Sequence, residues 1–409
     1  MMAVPADRSA RLLTHVAHYY DEVDVHLWTA AVAPTIYLSP SWFASVESKL
    51  TPTQRYVIVE QGSATVAAAL YCTASDAYHF YNPLALVASK ATLEMVRPFQ
   101  PEPDAERAVA LAERVGPPLR AAVCTAPFGY TQPLRATASD AHRSAVMEHL
   151  LVVADEWGAP VTAFLYADAG DMSLRRMLLA EGFIEFCTAA NCVLERPAAG
   201  WDAYLGTLSP SRRSAVRREM RRFRERQLTI TSGDIARDLD EMSHLQALVQ
   251  AKYGHGYDPD AQRTAFSAIA QHLEAYVGVD LVHKNDELVG FLLYYLDRNV
   301  LYPKMVGFDY AKLDRLDYAY FNVTYYNMIH RAGELDVARI DYGVEAYDAK
   351  MSRGCRANRL VSYVKPPEEI WDDVSALANL VSAAMERRLQ CHGSEPAKRV
   401  TTEHEEGGA

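Results

Sequence analysis

Residues 279–309 read VDLVHKNDELVGFLLYYLDRNVLYPKMVGFD. Three apolar and aromatic blocks are separated by Asn285-Asp286 and by a polar break from Asp297 to Asn299. Branched and aromatic residues suit a pleated, half-buried surface, and an Asn-Asp pair suits a tight turn. The stretch therefore predicts three antiparallel strands in succession. What surrounds it makes the fold mixed rather than all-β. Residues 316–334 (LDYAYFNVTYYNMIHRAGE) read as a long helix, and 338–344 (ARIDYGV) as a strand. AYDAKMSRGC (346–355) is a loop or short helix, and RLVSYVK (359–365) a last strand. Upstream, LTITSGD (228–234) is a strand, and 238–254 and 265–277 are helices.

A similar order precedes it. TIYLSPSWFASVES (35–48) reads as a short strand entering a helix at Pro40, with Trp42 in a packing role. RYVIVEQGSATVAAALYCTA (55–74) alternates around Gln61-Gly62 and predicts a hairpin. Residues 141–158 form a helix closed by Gly158, APVTAFLYA (159–167) a buried strand, and 171–183 another helix. IEFCTAANCVLER (184–196) is expected to be a terminal strand pair. The shared order of elements implies a duplication, although no repeat is visible at the level of residues. The expected organisation is a domain over 1–197, a second over 201–366 after the short RPAAG linker, an amphipathic helix over 367–390 and a disordered tail over 391–409.

Half of the 409 residues are hydrophobic and 23% are charged, an ordinary globular composition. The formal net charge of −11 argues against general binding of nucleic acid across the whole surface, and no DNA partner is expected, but it leaves room for a local basic groove. No run of about 18 apolar residues is present, so no membrane span is expected. The amino-terminal segment lacks the apolar core of a signal peptide. The six cysteines form no CxxC pair, and read as buried reduced thiols of a cytoplasmic protein. HExxH, GxSxG, P-loop and GxGxxG motifs are all missing, which leaves metal, serine-hydrolase and Rossmann chemistry without support.

Against that acidic balance stands LSPSRRSAVRREMRRFRERQ (208–227), with arginine at 212, 213, 217, 218, 221, 222, 224 and 226. Ser209 suits an N-cap and Pro210 the first helical position. On a helical wheel Val216, Met220 and Phe223 form one narrow arc for the core. Arg213, Arg217, Arg221 and Arg224 fall together beside it. Glu219 is expected to pair with Arg222, and Glu225 with Arg221. Two readings stand: a solvated face neutralised by acidic neighbours, or a site for the phosphates of coenzyme A or the backbone of a tRNA.

Four segments in order carry a family resemblance: LSPSRRSAVRREMRRF, VGFLLYYLDRNVLYPKMVGFDY, YAYFNVTYYNMIHRAGELDVARIDYG and YDAKMSRGCR. Together they resemble the second domain of FemAB-like double-GNAT acyltransferases, often described as peptidoglycan biosynthesis or recognition proteins. LLAEGFIEFCTAANCVLER is similar to the closing helix and strand of a first GNAT domain. The resemblance implies an α/β (α+β) fold of two tandem GNAT-like domains, each a mixed, mostly antiparallel sheet flanked by helices. It implies amide formation between an activated acyl group and an amine. Relatives use either aminoacyl-tRNA or acyl-CoA. A simple GNAT domain cradles the CoA pyrophosphate on a Gln/Arg-x-x-Gly-x-Gly/Ala turn, and no glycine here sits in that pattern.

The resemblance places Lys350 at the family's terminal lysine, as a cation beside the developing oxyanion or the donor phosphate. Arg353 and Arg356 flank it and extend the donor-binding field of Arg213, Arg217, Arg221 and Arg224. An attacking amine must lose a proton, and Asp341, at the end of a predicted strand, is the expected base, with Glu345 and Asp348 nearby. Asp309, Tyr302, Tyr310 and the loop residue His255 are expected on the acceptor side. The expected function is transfer from aminoacyl-tRNA to a small-molecule or peptidoglycan-type amine, without bound cofactor or metal. The alternatives are an acyl-CoA-dependent transferase and a degenerate GNAT binding module.

Overall fold

The computed structural model of the chain describes residues 12–47, 53–73, 79–135, 137–197 and 200–393. It divides into two compact units. The first comprises residues 1–189 and 359–388, the second 190–358 and 389–409. These boundaries differ from the expected ones, because the last strand and the carboxy-terminal helix cluster with the first unit. Most of the expected tail, residues 394–409, and part of the linker, 198–199, lie outside the described residues.

In the first unit β1 (Leu13–Ala17), β2 (Gln54–Gln61), β3 (Ala64–Thr73) and β4 (Ala121–Cys124) are antiparallel neighbours. The helix Asp140–Glu156 then leads to β5 (Val161–Asp168), which runs parallel to β4. The next strand, β6 (Ile184–Glu195), is a single twelve-residue strand rather than the expected pair, since nothing in IEFCTAANCVLE supplies a turn. The expected short strand before Pro40 is instead a 3-10 turn, Ile36–Leu38. Its three residues end at Ser39, which caps the helix Pro40–Val46. Trp42 is buried there and donates to the Pro127 carbonyl.

The second unit repeats this order. β7 (Leu228–Gly233), β8 (Val277–Lys284), β9 (Glu287–Asp297) and β10 (Val300–Phe308) are antiparallel. Asn285 and Asp286 both take left-handed backbone (φ 51° and 65°), as a two-residue hairpin turn requires. Between β9 and β10, Gly290 lies opposite Phe308 and Gly307 opposite Phe291, and a Cβ on either glycine would meet the facing ring at 2.3 or 2.2 Å. The glycines are thus slots for cross-strand aromatics. The helical stretch 319–334 leads to β11 (Arg339–Asp341), parallel to β10, and β11 pairs with the end of β6. The last strand, β12 (Arg356–Lys365), pairs with β5 in the first unit. There Val374, Leu377, Val381 and Met385 of the helix Trp371–Gly393 are fully buried, as its amphipathic pattern predicts.

Candidate active site

The parallel pairing of β10 and β11 is brief. Val300 and Leu301 face Arg339 and Ile340, and there the register ends. Beyond it β10 carries a bulge between Pro303 and Met305, while β11 stops at Asp341. Asp341 thus sits where two parallel strands part, at the carboxyl end of β11 and just past the paired start of β10, and the parting of parallel strands is a place where open sheets offer room for ligands. It is half-buried; Oδ2 accepts from Asn191 Nδ2 at 2.8 Å and Oδ1 from the Gly343 amide at 3.0 Å. Burial raises its pKa above the usual carboxylate range, and the Asn191 and Gly343 hydrogen bonds only partly offset that.

Three residues of the following loop, Gly343, Glu345 and Ala346, adopt left-handed backbone. Two of them carry side chains, so the loop holds strain of the kind that gathers at functional sites. It leads into the short helix Tyr347–Met351. The amides of Gly354 and Cys355 bond the carbonyls of Met351 and Lys350, and Gly354 has φ 89°. This is a Schellman closure with glycine at its left-handed position, and it explains the spacing of Lys350 and Gly354. Lys350 is 5% exposed. Its amine turns back over the loop and donates to the carbonyls of Val344 and, at 3.3 Å, Gly343. The Gly343 carbonyl also accepts from the Cys192 amide of β6. Burial lowers the pKa of Lys350, against the opposing pull of Cys192, Cys355, Glu345 and Asp341. The structure therefore brings the two expected catalytic residues into one cluster, with pKa values pushed toward each other.

Arg353 is placed differently from expectation. It is 3% exposed and lies inside the unit. Nε donates to the Tyr326 hydroxyl at 3.2 Å, Nη1 to the Ala349 carbonyl at 3.0 Å and Nη2 to Glu219 Oε2 at 3.0 Å. The guanidinium also stacks 3.7 Å from the Phe321 ring centroid. Tyr326 donates to the same Glu219 carboxylate. It belongs to a π-helical segment, Asn322–Asn327, that interrupts the expected long helix. Fully engaged in this way, Arg353 has no open face for a phosphate.

The arginine helix runs over Pro210–Glu225, with Ser209 accepting from the Arg212 amide. Its buried stripe is Val216, Glu219 and Phe223, and Met220 is only partly covered. Glu219 does not pair with Arg222; it faces Arg353, with Arg212 at 3.6 Å. Glu225 lies 3.6 Å from both Arg221 and Arg222. Arg217 and Arg218 are exposed and have no acidic partner among the described residues. Arg224 is exposed and donates only to the Met220 carbonyl. Arg213 is half-buried and donates to the Leu208 carbonyl at 3.2 Å, so it stands apart from the open face.

The other expected residues scatter. Arg356 is exposed at the start of β12. Tyr302 is 2% exposed, within the sheet. Tyr310 is 40% exposed, with Lys252 Nζ 3.4 Å above its ring. Asp309 accepts from the Ala311 amide and lies 3.2 Å from Lys312, which makes it a turn residue. His255 is exposed between two left-handed glycines, Gly254 and Gly256. Sequence reasoning missed Asn191 and Glu219. Glu219 was detectable, because at three residues from Val216 and four from Phe223 it shares the apolar stripe. Asn191 comes from β6, and no local pattern joins it to Asp341.

No helix among the described residues is long and apolar enough to cross a membrane. The sequence matches the model of the FemAB-like family, described as peptidoglycan biosynthesis/recognition, over residues 111–388. No curated protein matches it. Among solved structures, that of FemX aligns with a TM-score of 0.54 at 10% identity, covering 85% of this chain and 96% of that one. A tandem GNAT protein from the clavulanic acid biosynthesis pathway gives 0.47 at 11% identity, over 87% and 98% of the two chains. A GCN5-related N-acetyltransferase from Sphaerobacter thermophilus gives 0.40 at 11%, over 87% and 95%. At such identities the likeness to FemX is one of fold. The family match covers more than half of the sequence, including the Asp341–Lys350 cluster and the arginine helix, and on it the chain belongs to the FemAB-like family and is an acyltransferase.

Proposed function

We propose that the protein forms a peptide bond by moving an aminoacyl group from aminoacyl-tRNA to the amine of a peptidoglycan-type acceptor. The observation that carries the choice of donor is the open face of the arginine helix. Arg217, Arg218, Arg221, Arg222 and Arg224 are exposed there, with Glu225 as the one exposed carboxylate on the helix. Surface pairs such as those of Glu225 contribute little, so the face keeps a positive field suited to a phosphate backbone. A CoA, with few phosphates, needs fewer cations than this helix presents.

Asp341 and Lys350 supply the chemistry. The acceptor nitrogen attacks the acyl carbon, and Asp341, its pKa raised by burial, takes the proton that the nitrogen loses. Lys350, fixed on the Gly343 and Val344 carbonyls, directs its remaining donor capacity at the developing oxyanion. Collapse breaks the acyl–oxygen ester bond, and the proton passes to the departing ribose hydroxyl. The test is amide formation by the purified protein with alanyl-tRNA, with and without ribonuclease, and with acetyl-CoA. Ribonuclease-sensitive product from alanyl-tRNA is expected. Product from acetyl-CoA alone, insensitive to ribonuclease, overturns the donor assignment.

A further inference from the structure

The seven arginines of the helix surround one buried acid, and of them only Arg212, at 3.6 Å, comes near its carboxylate. Glu219 is 4% exposed and points inward. Its carboxylate receives Arg353 Nη2 at 3.0 Å and the Tyr326 hydroxyl, and its backbone carbonyl lies 3.4 Å from Asn322 Nδ2. Arg353 in turn closes the Lys350 helix. Its amide bonds the Lys350 carbonyl and its Nη1 the Ala349 carbonyl, where the helix leaves carbonyls unpaired. Three segments therefore meet at one carboxylate: the arginine helix, the π-helical segment and the turn that carries Lys350. Glu219 sits within three residues of Arg217, Arg218, Arg221 and Arg222.

We infer that Glu219 is a positioning residue that acts through Arg353, setting the Lys350 turn in fixed register with the arginine face. The inference rests on the reading of Lys350 and the arginine helix as parts of one site. A buried pair is a costly way to gain stability alone, because apolar residues of similar volume do as well. Its use here is geometric: the planar guanidinium is held at three points, by Glu219 Oε2, the Tyr326 hydroxyl and the Ala349 carbonyl, which fixes distance and angle together. A shift of the Lys350 turn by an ångström misplaces its amine at the reacting carbonyl, which lowers turnover steeply. Glu219 touches no donor, so donor affinity stays with the exposed arginines.

The test separates position from stability. Glu219→Gln alone strands the Arg353 charge and loses stability. Glu219→Leu combined with Arg353→Met replaces the pair by apolar side chains and returns Tm to near the wild-type value. In that double variant, hydrogen exchange over residues 347–355 is expected to rise at least about tenfold while the helix Trp371–Gly393 is unchanged. With alanyl-tRNA or acetyl-CoA, whichever the wild type uses, kcat is expected to fall at least about tenfold and donor KM to change less than about threefold. Glu219→Asp, which keeps the charge and shortens the reach, should give an intermediate kcat in a folded protein, and carries the test should the double variant not fold. Wild-type exchange over 347–355, or kcat that recovers together with Tm, overturns the inference. Turnover by the wild type on acetyl-CoA alone overturns the tRNA assignment and leaves the exchange comparison standing, so the two failures are distinct.

Discussion

Replacing Arg217 and Arg221 with alanine tests the donor through its salt dependence. Five exposed guanidiniums, at 217, 218, 221, 222 and 224, are available for phosphates. If each meets one, the slope of log affinity against log salt is about −4.5, and raising salt from about 50 to about 200 mM weakens binding about 500-fold. Removing two contacts leaves a slope of about −2.7 and a loss of about 40-fold over the same range. Folding should hardly change. The substitution relieves like-charge neighbours at 213, 217 and 221, and forfeits only the exposed pair of Arg221 with Glu225 at 3.6 Å. Both effects are a few tenths of a kcal/mol and opposite in sign, so they largely cancel. The assay is fluorescence anisotropy with labelled unfractionated tRNA across a salt series, beside thermal unfolding. A slope unchanged by the double substitution refutes the phosphate contacts, and a large drop in Tm shows that the arginines serve the fold.

Two further substitutions probe the turn that carries Lys350. Lys350→Met keeps the stem and removes a buried amine, but leaves the Val344 carbonyl without its donor, at about 1–3 kcal/mol. These effects oppose, so Tm should stay within about 5 °C while kcat falls about 100-fold or more; a fully active variant removes Lys350 from the chemistry. Gly354→Ala forces a side chain onto φ 89°, although its Cβ would meet Leu194 and Leu208 only at ordinary contact distances of 3.5 and 3.6 Å. The backbone cost of about 1 kcal/mol should lower Tm by about 2–4 °C, with kcat reduced through Lys350 and donor KM unchanged, as steady-state kinetics will show.

The fold was legible where its signals are local. The strands at 277–308, the Asn285-Asp286 turn and the Ser209 cap follow from residue types next to one another. The Asp341–Lys350 cluster was half legible, since a strand end and a family lysine are both sequence features. What escaped depends on residues far apart in the chain. Asn191 reaches Asp341 across 150 positions, and Glu219 reaches Arg353 across 134. Glu219 lies at helical spacing from Val216 and Phe223, but the expected arc took Met220 and left Glu219 outside with Arg222; solvation favours an acid outside unless a partner waits within, and Arg353 gave no sign of being that partner. The π-helical segment that turns Tyr326 toward Glu219 is likewise a product of packing, as nothing in NVTYYN breaks a regular helix.

The duplication that no residue pattern disclosed is written in one turn. β5 ends at Asp168, whose Oδ1 accepts from the Gly170 amide at 2.7 Å; β11 ends at Asp341, whose Oδ1 accepts from the Gly343 amide at 3.0 Å. In both units the fifth strand thus closes with Asp-x-Gly folded on its own aspartate. That hydrogen bond belongs to the fold, and cannot by itself mark a base. What differs is the setting. Asp168 is exposed, and the next helix is capped by Asp171, itself held by Arg143. Asp341 is half-buried against Asn191, with the Lys350 amine on the following carbonyls. Converting each aspartate to asparagine separates inheritance from chemistry, for both variants keep an oxygen to accept the glycine amide. Asp168→Asn should leave kcat unchanged. Asp341→Asn should lower it about 100-fold or more and abolish the rise of kcat with pH, which in the wild type lies above the usual carboxylate range because burial raises this pKa. Stability should move the other way. A carboxyl whose folded pKa is raised contributes stability below its unfolded pKa and loses it as pH climbs through the folded value. The neutral asparagine is spared that loss, so Asp341→Asn should unfold at a higher temperature than wild type near neutral pH, with the gap closing in acid. A variant more stable yet nearly inactive is the mark of a charge kept for chemistry, and equal activity in the two variants would reduce Asp341 to the fold residue its counterpart already is.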